Sequence, residues 1–177
     1  MGARVLVNYG IQNENTDLRI HVSVSNKTIY VFRTSSGKKE VEKGLSGAYP
    51  FRSVNSYGQR TAEGYIVPIP SIEGISIIEI PQDIFENAHF EEVIDKKNKE
   101  KEKGDKAVFV VVEMLKRDGL INIQLVPEKI TDTDLQISGL DILVKTSCRI
   151  QVKCDLRAGI TGNLFLQTAE INPMRLY

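Results

Sequence analysis

The chain has no tryptophan, only two cysteines and two histidines, and no excess of charge, since its 23 basic residues are balanced by 23 acidic ones. Each shortage excludes something. No apolar run approaches the roughly 20 residues of a membrane-spanning helix, and the start, "MGARVLVNYG", lacks a signal-peptide hydrophobic region, so no membrane and a cytoplasmic setting are expected. Zero net charge gives no global sign of a nucleic-acid partner, although a local positive patch is compatible with it. Cys148 and Cys154 show no CxxC spacing and so form no zinc site. Along one strand they would stand roughly 20 Å apart, at ~3.3 Å per residue, beyond the reach of a disulfide, and buried free thiols are expected. No Gly-rich phosphate loop, Ser-His-Asp order or H-E-x-x-H occurs. His21, in the alternating "RIHVSV", reads as structural.

What remains is a composition of 41% hydrophobic and 26% charged residues, enough for one compact folded domain of 177 residues. Residues 1–100 read as a β-rich half. "ARVLVNYG", "LRIHVSVS" and "KTIYVFRT" are strand-like, the last two separated by a polar turn at Asn26. "SSGKKEVEKGLSG" reads as a polar loop. "AEGYIVPIPSIEGISIIEIP" is broken by Pro68, Pro70 and Gly74 into short strands. Pro81 opens a short helix, and the mixed charges from Asp95 to Lys103 read as a solvated face or loop.

Residues 101–177 are more regular. In "DKAVFVVVEMLKRDGL", Val108, Val111, Val112 and Leu115 recur at helical spacing, with Asp105 as a cap and Gly119 as a stop. "INIQLV" then reads as a strand and "PEKITDTDLQISG" as a polar connection. "LDILVKT" and "RIQVKCD" read as strands joined near Ser147, and "GNLFLQTAEI" as a further strand. One helix followed by an antiparallel strand group predicts a mixed α/β (α+β) core.

The stretch "RIQVKCD" raises the functional question. Ile150, Val152 and Cys154 alternate with Gln151, Lys153 and Asp155, giving one apolar and one polar face. In a hairpin centred near Ser147, Asp141 would face Lys153 or its neighbour, and Asp141, Gln151 and Lys153 would share the polar face. Mg²⁺ takes hard oxygen ligands and keeps several waters, so Asp141, the Gln151 amide oxygen, the Val152 carbonyl and a substrate phosphate would suffice to hold it. Lys153 would orient the attacking water or stabilise the transition state of phosphodiester hydrolysis. The bland alternative is that this face is only the wet side of a sheet.

"DLQISGLDILVKTSCRIQVKCD" resembles the core of the PD-(D/E)XK nuclease superfamily, the restriction-endonuclease-like fold. Asp141 matches that family's aspartate, Lys153 its lysine, and Gln151 a known variant of its second acidic position. Gln136, in Q-x-x-G-x-D-I, fits a recurrent pattern of such nucleases. "AVFVVVEMLKRDGLINI" resembles their first core helix and strand. The resemblance implies a mixed sheet flanked by helices, catalysis by Asp141, Gln151 and Lys153, and Mg²⁺ with Mn²⁺ as substitute. It covers about the last 70 residues. It departs from the family at the helix glutamate, because seven residues before Leu115 stands Val108; Glu113 is the alternative acidic candidate.

The implied activity is a metal-dependent endodeoxyribonuclease, restriction-like or phage-type, acting as a homodimer on DNA. A junction resolvase and a non-catalytic nucleic-acid-binding protein are the alternatives. Candidate DNA contacts are Lys145, Arg149, Arg157, Asn163, Gln167 and Arg60, whose side chains suit phosphates or base edges. The amide at Gln151 removes one negative charge, so the metal would wait for the phosphate of DNA, or the site has ceased to cut.

Overall fold

The computed structural model describes residues 16–43, 49–54, 56, 58, 60–94, 99–127, 134–138 and 147–167. Strands β1 (Leu18–Ser23) and β2 (Thr28–Arg33) form the expected hairpin, turning through residues 24–27. Helix α1 (Thr34–Lys43) follows, then β3 (Tyr49–Val54), β4 (Arg60–Pro68) and the short edge strand β5 (Ser76–Glu79). Helices α2 (Gln82–Ala88), α3 (Glu91–Ile94) and α4 (Glu100–Arg117) lead to β6 (Ile123–Leu125), β7 (Leu135–Ser138) and β8 (Ser147–Asp155). A single helical turn, α5 (Ala158–Thr161), and β9 (Asn163–Gln167) complete the described chain.

The described strands form two sheets. A six-stranded sheet runs in the order β5-β2-β1-β8-β7-β6, and a three-stranded sheet in the order β3-β4-β9. The large sheet is mixed: β1 runs parallel to β8, whereas its other pairs are antiparallel. The molecule is therefore of mixed α+β class, with β1 from the first half of the chain inserted beside β8 from the second.

One face of the large sheet packs on the helices. Ile20, Val22, Leu135, Ile137, Ile150 and Val152 are buried there against Ala107, Val110 and Val111 of α4 and Ile84 of α2. Burying these branched side chains stabilises the fold by roughly 1.5–3 kcal/mol each. The opposite face carries Tyr30 and Phe32, which pack with Tyr65 and Val67 of β4 and with Leu164 and Leu166 of β9. Thus β1 is covered on both sides, and all its residues but Leu18 are buried.

The local calls on β1, β2, β6 and the Pro81 helix agree with these elements. Helix α4 agrees with the expected valine stripe, and Gly119, at φ +88°, ends it as the sequence implies. It begins earlier than Asp105, however, at Glu100 with Lys99 as its cap residue. The end of the charged run is therefore the helix's first turn, where Glu100 and Glu102 complement the N-terminal dipole.

Two further expectations are corrected. "SSGKKEVEK" is helical within α1 and not a loop, because its Lys and Glu residues are good helix formers. The second correction concerns the hairpin. Leu135–Ser138, expected in a polar connection, is the strand that pairs with β8, with Leu135 opposite Ile150 and Ser138 opposite Ser147. Ser147 is thus inside β8 and not at the turn. Burial decides this register: Leu135 and Ile137 place an alternating apolar pair on the helix-covered face. The proposed strand 140–145, with Asp141 and Lys145, lies outside the described residues.

Candidate functional site

Strand β8 carries the Gln-x-Lys stretch through the middle of the large sheet. Its ladder with β7 covers only Ser147–Ile150, whereas its ladder with β1 covers Ile150–Asp155. Asp134, just before β7, extends the contact: its Oδ2 accepts a hydrogen bond from the Val152 N–H at 2.6 Å. A carboxylate therefore stands between the backbone positions of Gln151 and Lys153, where a strand carbonyl would ordinarily accept.

The parallel register sets the chemistry of the opposite face. Arg19 stands beside Gln151, His21 beside Lys153 and Ser23 beside Asp155. Paired positions in a sheet share a face, so six polar or charged side chains form two adjacent rows. Four of them, Arg19, His21, Ser23 and Gln151, are not on a wet surface. Arg19 is 3% exposed, His21 1% and Gln151 6%, which removes the solvated-face reading for Gln151. The reading of the cysteines holds in part: Cys148 and Cys154 are free thiols packed against the helix-covered core, but they are half-buried and not buried.

Burial without partners marks two of these groups. The Oε1 atom of Gln151 and both ring nitrogens of His21 lack hydrogen-bond partners among the described residues. Leaving such groups buried costs about 1–3 kcal/mol each, which makes them uncommon in folded proteins. The nearest charge to the imidazole is Asp155, whose Oδ2 lies 4.0 Å from His21 Nδ1, an ion-pair distance and not a hydrogen bond. Burial, the larger influence, pulls the His21 pKa below its ordinary value despite the opposing pull of Asp155. The ring is therefore neutral at pH 7.

Asp155 is held from the other side. Its Oδ1 accepts the N–H groups of Arg157 at 2.9 Å and Ala158 at 2.8 Å, tying it to the start of α5. Burial opposes its ionisation, but His21 and these N–H groups hold the carboxyl below the usual range. Ser23 adds a further link, its Oγ accepting from Gly159 N–H at 3.2 Å.

A cleft of about 1110 Å³ opens beside the free end of β8. Its lining includes Lys153, Asp155, His21 and Asp134, together with the first turns of α4 and parts of α5 and β9. Gln151 is not in the lining; it sits one residue deeper. Four carboxylates, Glu100, Asp105, Asp134 and Asp155, face the cleft with three cations, Lys101, Lys153 and Arg157.

The other expected site residues separate into groups. Arg157 and Asn163 line the cleft with Lys153. Glu113 does not: it lies on α4 paired with Lys116 at 2.8 Å. Arg149 is also outside the lining, with its Nε 3.7 Å from Asp17. Arg60 begins β4 opposite Val54, and Gln167 on β9 pairs with Gly64. Gln136 on β7 stands opposite Arg149. Asp141 and Lys145 lie outside the described residues. Sequence reasoning missed Asp134, His21 and Asp155. Asp155 was legible, since it continues the odd-numbered row of Gln151 and Lys153. His21 was not, because nothing local reveals that β1 runs beside β8.

No protein-family model, curated protein or solved structure matches the chain.

Among the described residues no three carboxylates, imidazoles or thiols converge on a metal position. Gln151 Oε1 is nevertheless a buried hard oxygen without a hydrogen-bond partner, of the kind Mg²⁺ accepts. The donor set fits Mg²⁺ only when completed from outside the described residues.

Proposed function

We propose that the protein is a metal-dependent endodeoxyribonuclease with a restriction-endonuclease-like core, cutting phosphodiester bonds at the free end of β8. The observation that carries this reading is the juxtaposition on one strand of a buried Gln151 amide oxygen, without a hydrogen-bond partner among the described residues, and a cleft-lining lysine at Lys153. The antiparallel succession β6-β7-β8 after α4 also supports it, as does the match of Gln151-Val152-Lys153 to the family's variant motif.

In this reading Gln151 and the Val152 carbonyl would contribute oxygens to Mg²⁺, which would supply water activation and charge neutralisation at the phosphate. Asp141 would have to join them from the 139–146 connection, since the β7–β8 register does not set it across from Lys153. The cleft's four carboxylates outnumber its three cations, so a divalent cation would favour the entry of a phosphodiester. Lys153 offers three donors to the attacking water or to a phosphoryl oxygen. Arg157 and Asn163, which line the cleft, would hold the flanking phosphates. A symmetric dimer would bring two such sites to the two strands of a duplex.

The test is incubation of plasmid DNA with the protein and Mg²⁺, Mn²⁺ or chelator. Metal-dependent nicking or linearisation, lost in Asp141→Ala and in Lys153→Ala, is the expected result. Undiminished cutting by the double variant, or binding without cutting in both metals, overturns the assignment. Faster cutting of a four-way junction than of a linear duplex would redirect it to a resolvase.

A further inference from the structure

A buried histidine beside the lysine of the site has no role in the reading above. We propose that His21, steadied by Asp155, is a positioning residue that holds the Lys153 amine in place. This rests on the nuclease reading for its functional consequence, though not for the contact itself.

The register is the first argument. His21 and Lys153 are direct partners in the parallel ladder, so their side chains leave the same face of the sheet from adjacent strands. Lysine has four rotatable side-chain bonds and loses up to about 2 kcal/mol of rotamer freedom when held, so a reacting lysine needs a partner to fix it. Among the described residues the Lys153 ammonium has no hydrogen bond or ion pair. Its direct cross-strand neighbour on that face is the His21 ring, which can supply an acceptor, while Gln151 and Asp155 stand two positions away along β8 itself.

The second argument is the state of that ring. Neither of its nitrogens has a hydrogen-bond partner among the described residues, although it is 1% exposed. Asp155 faces Nδ1 at 4.0 Å, which favours the tautomer with its proton on Nδ1 and leaves Nε2 as an acceptor. The neutral state imposed by burial is the one able to accept from an ammonium. The ring is steadied further by Phe32, whose centroid lies 5.6 Å away. Asp155 itself cannot swing, since Oδ1 is tied to two backbone N–H groups. A short chain of non-covalent contacts, from α5 to Asp155 to His21, then links the lysine's neighbour to the scaffold.

Two measurements test the proposal. Acylation of Lys153 by a small succinimidyl ester, followed by mass spectrometry, reads the contact without reference to activity. Lys153 should label at least about threefold faster in His21→Ala than in wild type, with His21→Gln between them. Equal labelling overturns the proposal. Cleavage kinetics read the consequence. His21→Ala should lower kcat at least about tenfold with KM unchanged, and should cost Lys153→Arg nothing further, since coupled residues are not additive. A full, multiplicative loss in the double variant marks His21 as structural only and overturns the proposal. Thermal melting of each variant separates misfolding from these effects, and His21→Gln, which keeps a donor and an acceptor, serves if His21→Ala does not fold. Absence of cleavage by wild type, with labelling changed as expected, sinks the nuclease reading and leaves the contact standing.

Discussion

The carboxylate of Asp134 accepts the backbone N–H of Val152 at 2.6 Å, extending the β7–β8 ladder with a side chain at the point where β7 begins. A charge-assisted bond of this kind contributes about 1.5–3 kcal/mol. Asp134→Ala should lower unfolding free energy by that amount in urea titrations. Asp134→Asn, which keeps an acceptor, should lose about half as much. Equal stability of all three proteins would show that the bond contributes nothing.

Lys153 is half-buried and without a salt bridge among the described residues, so its removal should leave the fold nearly unchanged. Lys153→Ala is expected to melt within a few degrees of wild type while cleavage falls at least about a hundredfold. A matching loss of stability and activity would argue that Lys153 supports the fold and not the chemistry.

Acid should destabilise the protein in two stages. The folded pKa of His21 lies below its ordinary 6.5, so from about that pH downward the unfolded chain takes up a proton that the folded chain refuses, and stability falls. The folded pKa of Asp155 is also depressed. Its contribution is complete above the ordinary carboxyl value of 3.8 and is lost as pH falls through the lower folded value. Melting temperature should therefore decline below pH 6.5, and His21→Gln should flatten the first part of that decline. A curve unaltered by the substitution would contradict the burial of a neutral imidazole.

The Cys154 thiol is pushed up to about 12 by burial, with the Asp155 charge adding to the effect. Thiolate is the reactive form, so at pH 8 Cys154 should react with iodoacetamide slower by on the order of 10³-fold than an unfolded thiol. Mass spectrometry of native and urea-unfolded protein distinguishes the two. Rapid native labelling at Cys154 would show that α4 does not cover it.

The local patterns were legible where one physical preference dominated. "LRIHVS" and "TIYVFR" are β-branched and bounded by a polar turn, and they are β1 and β2. The valine stripe before Gly119 is the buried side of α4. Two readings went astray where preferences competed. The polar "SSGKKEVEK" fits both loop and helix, and "LQIS" is short enough to vanish inside a polar connection. Choosing Leu135–Ser138 over 140–145 as the partner of β8 depends on which apolar pair the helix layer accepts, and that is a contact distant in sequence.

By itself the sequence determined that Gln151, Lys153 and Asp155 share one side of a strand, because side chains alternate with a period of two. It also set the cysteines on the opposite, apolar side. Only the tertiary structure decided that this polar side is covered at Gln151 while Lys153 and Asp155 reach a cleft, since the layer of β4 and β9 comes from two distant segments. The same holds for His21. Its place beside Lys153 comes from a parallel ladder joining residues more than a hundred positions apart, a pairing with no local signature.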